Sequence, residues 1–384
     1  MKTDCSQRIL HIITGLETGG AERSLVNLLA GTLPGEGDRA HVVSLGGRGH
    51  YAPVLEAHGV PVDSLGIGEG VSLASAVRHL RRIVRRARPE LIQGWMYHGS
   101  LAASVAGMFA GRRVPVAWNI RQSLYDIGTE KTGTRWVIRA LTRLSRRPRA
   151  IVYNSHQARA HHEDFGFAPA RGVVIVNGFD AQRWRPDAQR RRAVRGALGL
   201  GDDDLLLGFV GRYHPIKDVP TFLDACARAM AAERRLHVAL VGEGLNEENP
   251  ALASGFARLP AERVHMLGRR SDIEAVMAAF DLFCLSSASE GFPNVLGEAM
   301  ATGLPCIATD VGDCARVLGG HGRIVPPGDA ATMANSISEI CQLTTEERQA
   351  IGAAARQRIV DNYGFGATLD ANRALYDTLT KRDA

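Results

Sequence analysis

Residues 282–301 read LFCLSSASEGFPNVLGEAMA, and the order of elements in this stretch decides the fold. The first four residues are an apolar run typical of a buried strand, and residues 295–301 have the pattern of a helix. The Gly-Phe-Pro sequence at 291–293 predicts a sharp turn between them. A strand that passes through a turn into a helix is the repeating unit of parallel α/β sheets.

The same unit recurs on both sides of this stretch. In the first half we predict strands at 8–14, 40–45, 91–94, 114–120, 150–154 and 173–176; in the second half at 205–210, 237–241, 264–267, 282–285 and 305–308. Helical patterns fill the intervals, for example at 21–30, 72–86, 221–235, 273–279 and 330–342. This alternation predicts an α/β fold of two Rossmann-like, doubly wound, mostly parallel sheets.

The two halves meet near residues 177–180, which read NGFD. The Asn-Gly step is a turn signal, and the polar, irregular segment 181–192 follows it. We therefore predict an N-terminal domain at 1–180 and a C-terminal domain at 181–364. The remaining segment, 365–384, contains one more helical pattern at 367–379.

Composition excludes several classes of protein. The 384 residues are 45% hydrophobic and 22% charged, which is ordinary for a globular chain and unlike a disordered, collagenous or disulfide-stapled one. The six cysteines form no CxxC pair, which indicates thiols in a reducing compartment. The amino-terminal apolar run, 9–13, is too short for a signal peptide, and no stretch approaches the roughly 20 residues of a membrane span. We expect a cytoplasmic protein that can associate peripherally with the inner face of the plasma membrane.

Positive charge is concentrated in the first half. Residues 1–180 carry a formal charge of +9 and residues 181–384 a charge of −3. Segments 78–88 and 135–149 each contain six arginines, on helical patterns whose apolar faces include Leu73 and Trp136. These faces are interpreted either as solvated surfaces or as contacts with an anionic membrane. No nucleic-acid motif is present, so we expect no nucleic-acid partner.

Ligands of parallel sheets bind beyond the carboxyl ends of the strands. The predicted strand 205–210 is followed by GRYHPIKD (211–218), which supplies Arg212 and Lys217 at such an end. Two fixed cations suit a diphosphate without the help of a metal. The alternative is a pair of surface cations with no ligand.

Two carboxylates flank the helix that begins near Asn294. Glu290 precedes the turn, and Glu298 follows after seven intervening residues. A helix start favours an anion, whereas a carboxylate accepts hydrogen bonds from sugar hydroxyls. A phosphate with hydroxyl-bearing groups on both sides describes a sugar nucleotide, which we predict as the ligand.

Other motifs are weaker. Gly19 and Gly20 lie between the first strand and its helix, where a backbone can approach a ligand, but the spacing fits neither GxGxxG nor a P-loop and a plain tight turn is equally consistent. The acidic run 202–204 precedes a strand, on the side away from the ligand end, and adjacent His161 and His162 would diverge on a helix. We predict no metal site and no cofactor.

Taken together, these segments resemble the retaining glycosyltransferases of family GT4, which have the GT-B fold. The matching pieces are GGAERS (19–24), VNGFD (176–180), GRYHPIKD, the Glu290-x7-Glu298 spacing and VPPGD (325–329). The resemblance implies two Rossmann-like domains facing across a cleft, with the terminal helix crossing back to the first domain. It also implies hexosyl transfer from a UDP- or GDP-sugar, without a metal.

The resemblance implies roles for individual residues. Arg212 and Lys217 would hold the donor diphosphate and stabilise the leaving group. The donor sugar, phosphate, ribose and base would be bound by Gly19, Gly20, Arg269, Glu290, Gly291, Phe292, Pro293, Asn294, Val295 and Glu298. His98 would lie near the reacting carbon and, with Tyr97 and Arg121, contact the acceptor. Glu290, His98, Arg212 and Lys217 would thus be the catalytic residues.

Two further segments bear on the acceptor and the donor. Residues 95–97 (WMY) and 118–123 (WNIRQS) resemble a bacterial subgroup that builds surface polysaccharide on lipid-linked saccharides. Residues 311–316 (VGDCAR) depart from the Gly-Gly-containing loop of many relatives, which leaves the donor undetermined. The alternatives are a sugar-nucleotide epimerase or phosphorylase of similar shape, and a non-catalytic protein that binds membranes through its basic half.

Overall fold

The computed structural model describes residues 8–31, 39–111 and 113–381. The chain forms two compact units: unit 1 is residues 1–177 with 366–384, and unit 2 is residues 178–365. The first boundary therefore falls at the Asn-Gly step itself, three residues before the predicted position. The reason is a pair of backbone hydrogen bonds, since Phe179 N–H donates to Tyr363 O (2.8 Å) and Phe365 N–H donates to Phe179 O (3.1 Å).

Unit 1 is an alternation of parallel strands and helices. Its strands are β1 (Ile9–Ile13), β2 (Ala40–Ser44), β3 (Val62–Ser64), β4 (Leu91–Trp95), β5 (Val116–Ile120), β6 (Ala150–Tyr153) and β7 (Gly172–Val174). Its helices are α1 (Gly20–Ala30), α2 (Ala52–Ala57), α3 (Leu73–Ala87), α4 (Met96–Ala110), α5 (Thr132–Leu144) and α6 (His156–Asp164), joined at the chain end by α15 (Phe365–Thr380).

Unit 2 repeats the scheme. Its strands are β8 (Leu205–Val210), β9 (Leu236–Val241), β10 (Val264–Gly268), β11 (Leu282–Leu285), β12 (Cys306–Thr309) and β13 (Arg323–Val325). Its helices are α7 (Ala188–Ala197), α8 (Val219–Ala232), α9 (Ala253–Phe256), α10 (Ile273–Ala278), α11 (Asn294–Ala301), α12 (Cys314–Leu318), α13 (Ala330–Gln342) and α14 (Thr345–Asn362).

Both sheets are parallel throughout their described pairs, with the strand order β3-β2-β1-β4-β5-β6-β7 in unit 1 and β10-β9-β8-β11-β12-β13 in unit 2. The central strands are apolar runs buried on both faces, as parallel sheets covered by helices require. In each sheet the order of connection reverses between the first and fourth strands, which places a crevice at the carboxyl ends of β1 and β4 and of β8 and β11. The predicted α/β fold class is confirmed.

Some local predictions were wrong. The short strands β3 and β13 were missed, because three residues give too little pattern for period-two alternation. Leu73 and Trp136, predicted to face the core, are 70% and 66% exposed. Apolar residues at the ends and edges of arginine-rich helices can satisfy the helical pattern without reaching the sheet. Within the described ranges, no helix is both long enough and apolar enough to cross a bilayer.

The thiols of Cys226, Cys284, Cys306, Cys314 and Cys341 are buried and not joined in disulfides. They lie inside unit 2, where burial raises the pKa of each thiol above its ordinary value. The sixth cysteine, Cys5, falls outside the described residues.

Candidate active site

The predicted donor residues of unit 2 lie at the carboxyl ends of β8 and β11. Arg212 and Lys217 are in the loop after β8, and Glu290 is in the loop after β11. Two hydrogen bonds join these loops: Ser286 Oγ donates to Lys217 O (2.8 Å), and the N–H of Ala288 donates to the backbone oxygen of the residue before Lys217 (2.8 Å). The two loops therefore form one surface at the crevice.

Lys217 and Glu290 form an ion pair on that surface. Lys217 Nζ lies 2.5 Å from Glu290 Oε1, and Ser287 Oγ donates to the same oxygen at 2.7 Å. Thr309 Oγ1, at the end of β12, donates in turn to Ser287 O (2.6 Å). The carboxylate is thus held in place by a cation and a hydroxyl, and both members of the ion pair keep some access to solvent. A fixed cation beside a fixed carboxylate can bind a phosphate and a hydroxyl at neighbouring positions.

Helix α11 begins directly after this pair. Its cap position is Pro293, whose side chain cannot accept a hydrogen bond, so the helix has no side-chain cap there, and the N–H of Asn294 donates to Phe292 O at 2.9 Å. The helix start therefore favours an anion, with Asn294 and Val295 in the first turn. Glu298 lies one turn further on and is 4% exposed.

The loop 311–316 lies against the backbone of Glu290. Gly312 has φ +56°, and a Cβ there would approach the carbonyl oxygens of Glu290 and Gly291 to 2.8 Å. Only glycine can adopt this positive φ at low cost and also leave room for the two carbonyl oxygens. Cys314 follows in α12, and its thiol pKa is raised chiefly by burial, with a smaller contribution from the charge of Glu290. The segment that departs from many relatives is therefore part of the candidate donor site.

Arg212 and Arg269 differ from Lys217 in being exposed. Burial lowers the pKa of His214, and the charges of Arg212 and Lys217 in the same loop lower it further. Arg269 follows β10, which β9 separates from β8, so it lies further along the same edge of the sheet. The structure thus brings Lys217 and Glu290 into contact and leaves Arg269 apart from them.

In unit 1, Gly19 and Gly20 stand at the start of α1, after β1. A Cβ on Gly19 would meet Glu22 Oε2 at 2.2 Å, so the Glu22 carboxyl reaches back to the helix start. Burial raises the pKa of this carboxyl. A Cβ on Gly20 would meet no described atom within 4 Å. The sequence analysis missed Glu22, although the GGAE spacing is the signal that could have identified it.

His98 lies in the first turn of α4, after β4. The strand passes into the helix at Met96, which has φ +60°, an uncommon conformation for a residue with a side chain. Burial lowers the pKa of His98, and the nearby Glu130 opposes that effect. Gln122 Nε2 donates to Glu130 Oε1 at 2.7 Å. Gln122 and Glu130, both missed from sequence, therefore belong with His98 at this end of the sheet.

Tyr97 and Arg121, predicted to contact the acceptor, are engaged inside unit 1. Tyr97 is 2% exposed, and its hydroxyl lies 2.9 Å from His162 Nε2. Burial raises the pKa of Tyr97. The direction of a side chain at a strand end depends on tertiary packing, which the sequence pattern does not reveal. We therefore withdraw Tyr97 from the acceptor contacts.

Arg121 packs its guanidinium 5.5 Å from the centre of the Trp95 ring. It donates to Asn119 Oδ1 (3.2 Å) and to Asn177 Oδ1, and burial lowers its pKa to about 10. These contacts link Asn177, the last residue of segment 1–177, to Trp95 and Asn119 of the sheet through Arg121. Arg121 remains partly exposed, and its contact with the acceptor phosphate stays a prediction.

The motifs considered for metals are dispersed in the structure. The run 202–204 precedes β8, at the edge of the sheet opposite the Lys217–Glu290 pair. His162 is buried against Tyr97, and its neighbour His161 stacks edge-on with Tyr125 at 4.5 Å. In the described part of the chain, no group of three or more His, Cys, Asp or Glu side chains could hold a metal ion.

Family models match both halves of the chain. One, described as Glycosyltransferase Family 4, matches residues 18–183, and another, Glycosyl transferases group 1, matches residues 204–342. The chain is a GT4-like glycosyltransferase. The second model spans β8 to α13 and so contains both loops of the candidate donor site, and the first contains α1 and His98.

Curated relatives agree with this assignment. The enzyme is 28% identical over 331 residues to the putative glycosyltransferase EpsF of Bacillus subtilis, covering 79% of each chain. It is 31% identical over 237 residues to the D-inositol 3-phosphate glycosyltransferase of Mycobacterium tuberculosis. That match spans 59% of the enzyme and 48% of the mycobacterial chain.

Solved structures confirm the GT-B fold. Anabaena HepE in complex with UDP-glucose superposes with a TM-score of 0.81 at 25% identity, covering 97% of the enzyme and all of HepE. WaaG, a glycosyltransferase involved in lipopolysaccharide biosynthesis, superposes with a TM-score of 0.74 at 16% identity, covering 97% of the enzyme and all of WaaG.

Proposed function

We propose that the enzyme transfers a sugar, with retention of anomeric configuration, from a nucleoside-diphosphate sugar to a hydroxyl of a lipid-linked saccharide in bacterial polysaccharide synthesis. The observation that carries the proposal is the Lys217–Glu290 pair, fixed at 2.5 Å beside the start of α11. A UDP-sugar is the favoured donor, because HepE binds UDP-glucose. The resemblance of residues 95–97 and 118–123 to a bacterial surface-polysaccharide subgroup supports that setting.

The charges of the site suit the departure of a diphosphate. When the bond between the anomeric carbon and the phosphate oxygen breaks, its electron pair leaves with the nucleoside diphosphate. Lys217, Arg212 and the first N–H groups of α11 would stabilise that negative charge, which is usually the largest catalytic term. Glu290 would hold the donor sugar through its hydroxyls. The acceptor oxygen attacks the same face and gives its proton to the departing phosphate oxygen.

His98 would contact the reacting sugar. Its lowered pKa keeps the imidazole neutral at pH 7, so it can donate one hydrogen bond to a sugar oxygen without bringing a charge. Glu298 would contact the ribose, and Arg269 the region of the base. These roles rest on the resemblance.

The test is to incubate the enzyme with a panel of UDP-, GDP- and ADP-sugars and to measure the release of nucleoside diphosphate. We expect one nucleotide class to be consumed, with activity retained in EDTA, and the anomeric proton of the product to show the donor's configuration by NMR. Inversion would contradict the retaining assignment. Interconversion of sugars without release of nucleotide would favour an epimerase instead.

We further propose that unit 1 holds the enzyme on an anionic bilayer, where a lipid-linked acceptor lies. Helix α4 packs against both α3 and α5, and this three-helix surface exposes apolar side chains beside its arginines. Met108 is 69% exposed, and the guanidinium of Arg139 lies 5.6 Å from the centre of the exposed Trp136 ring. Each basic residue near such a membrane contributes about 1 kcal/mol.

Co-sedimentation with vesicles tests the membrane contact. Wild-type enzyme should bind vesicles that contain phosphatidylglycerol and not pure phosphatidylcholine, with binding lost at high salt. The double variant Arg139→Glu/Arg143→Glu should bind at least about tenfold more weakly. The matched control, Arg192→Glu/Arg234→Glu on unit 2, changes the net charge equally and should bind as wild type. Equal losses in both variants would refute a specific surface.

A further inference from the structure

Three aromatic side chains pack together inside unit 2. The rings of Phe179 and Phe292 stack with centroids 6.0 Å apart and planes at 22°, and Tyr363 lies 6.1 Å from Phe292 at 50°. All three are buried. We call Phe179, Phe292 and Tyr363 the aromatic cluster. Its members come from the beginning, the middle and the end of the unit 2 sequence.

Backbone hydrogen bonds fix two members of the cluster to each other. Phe179 N–H donates to Tyr363 O at 2.8 Å, and Phe365 N–H donates to Phe179 O at 3.1 Å, around a parallel bridge between Phe179 and Gly364. These are the segments through which the chain enters and leaves unit 2. The outer two rings of the cluster are therefore anchored independently of the candidate donor site.

The aromatic cluster packs against the residues that follow Glu290. Phe292 is the second residue after Glu290 in the chain, so a displaced Phe292 ring would carry Glu290 with it. The Phe179 ring also fills the space beside Gly297 in α11, where a Cβ would lie 2.0 Å from the ring atom Cζ. Phe179 thus packs against both the turn and the helix that follow Glu290.

Tyr363 extends the same support to the Gly312 loop. Its hydroxyl donates to Arg316 O at 3.2 Å, and Nη2 of Arg358 in α14 donates to the same oxygen at 2.6 Å. Arg316 belongs to α12, the helix that begins directly after the loop of Gly312. Because Gly312 touches the backbone of Glu290, the cluster supports Glu290 along two separate routes.

We propose that Phe179 and Tyr363 are positioning residues of the glycosyl transfer, which hold Phe292 and α12 so that Glu290 stays in register with Lys217 and the donor. The proposal rests on the proposed function for its kinetic consequences. Aromatic pairs of this geometry add stability beyond simple burial, and small displacements of a binding group are costly in rate. The chain-entry and chain-exit segments of unit 2 are thereby tied to the donor loop.

Phe179→Leu tests the proposal, because it keeps an apolar side chain and removes the stacked ring. Gly297→Ala perturbs the same ring from the helix side, since its methyl group would collide with Phe179. The double variant Phe179→Leu/Gly297→Ala should recover part of the loss, because the smaller side chain makes room for the methyl. Phe280→Leu is the matched control: Phe280 is equally buried in unit 2, but it packs over Gly208 in the middle of β8 and follows α10.

The first readout is backbone hydrogen exchange without any ligand. Phe179→Leu and Gly297→Ala should speed exchange at 290–294 and at 312–316 by about tenfold, whereas Phe280→Leu should leave these segments as in wild type. A Tyr363→Phe variant, which loses only the hydroxyl, should speed exchange at 312–316 more than at 290–294. Exchange unchanged at both segments in Phe179→Leu and Gly297→Ala would overturn the proposal.

The second readout is the kinetic split. Phe179→Leu should raise the donor KM by about tenfold, equivalent to about 1.4 kcal/mol, with a smaller change in the acceptor KM. Phe280→Leu should lower the melting temperature comparably and leave both KM values unchanged. If Phe179→Leu and Phe280→Leu had equal kinetic effects, Phe179 would contribute only to the stability of the enzyme. If wild type consumed no donor, the proposed function would fail, while the exchange contrast would still decide the positioning role.

Discussion

Replacing Glu290 with Gln should nearly abolish transfer while leaving the binding of the product nucleotide unchanged or stronger. Glu290 is held by Lys217 at 2.5 Å and by Ser287 at 2.7 Å, so Gln can keep the shape of the site and lose only the charge. Without that charge, the sugar hydroxyls lose their strongest acceptor, and a loss of about 10²–10³ in kcat is expected.

The same geometry predicts that Glu290→Gln, which slows transfer, binds the nucleotide more tightly. A phosphate bound to Lys217 would lie within several ångströms of the Glu290 carboxylate, and like charges at such a distance repel by about 3 kcal/mol at an effective dielectric constant of 20. Lys217 offsets most of this repulsion. We therefore expect Glu290→Gln to tighten the binding of the nucleoside diphosphate by a few-fold, up to about tenfold.

Lys217→Met provides the contrast. Lys217→Met should weaken the binding of the nucleoside diphosphate by at least about tenfold, because a charge-assisted contact is lost. It should also destabilise the enzyme by about 2 kcal/mol, because the largely buried Glu290 carboxylate loses its cation. Calorimetric titration measures the nucleotide affinities, and urea denaturation measures the free energies of unfolding. The exposed Glu262→Gln serves as a charge-matched control and should change neither.

Two results would refute this reasoning. Full turnover by Glu290→Gln or Glu290→Ala would remove Glu290 from the donor site. Weaker nucleotide binding in Glu290→Gln together with unchanged binding in Lys217→Met would show that the phosphate lies elsewhere.

Further predictions concern protons, thiols and metals. Burial lowers the pKa of His11 to about 3 and of His162 to about 4, so their contribution to stability is complete above about pH 6.5 and is lost progressively as the pH falls from there to the folded-state values. At pH 5 each histidine should lower the free energy of unfolding by about 2 kcal/mol relative to pH 7.5. An unchanged free energy of unfolding between these two pH values would contradict this. In a Cys5→Ser variant, the five buried thiols should react with a thiol reagent only after unfolding; rapid native labelling would show that unit 2 opens. Turnover should survive dialysis against EDTA, and an activity restored only by a divalent ion would reverse that expectation.

The sequence pattern was sufficient for the architecture and for the central pair. The predicted strands and helices are long enough to show their period, unlike β3 and β13, and the carboxyl ends of parallel strands must share one edge of a sheet. Lys217 and Glu290 could therefore be placed at one edge although 72 residues separate them in the chain. Their direct contact required the coordinates, because it depends on loops whose conformation no periodicity fixes.

The other predictions depended on the directions of side chains, which the sequence pattern does not give. Tyr97 follows a strand end like the donor residues, yet it is 2% exposed and its hydroxyl contacts His162. Trp136 fits a helical core pattern and is exposed. The aromatic cluster joins positions 179, 292 and 363, and only the folded chain shows that these distant rings meet. Local pattern carries no information about such contacts.

The most direct measurement is hydrogen exchange with and without a saturating nucleoside diphosphate, using UDP, GDP and ADP in turn. We expect one of them, with UDP favoured, to slow exchange at 211–218 and at 290–298 together, because Lys217 and the start of α11 would bind the same diphosphate. A nucleotide that binds tightly and protects neither segment, or the absence of binding by all three, would contradict it.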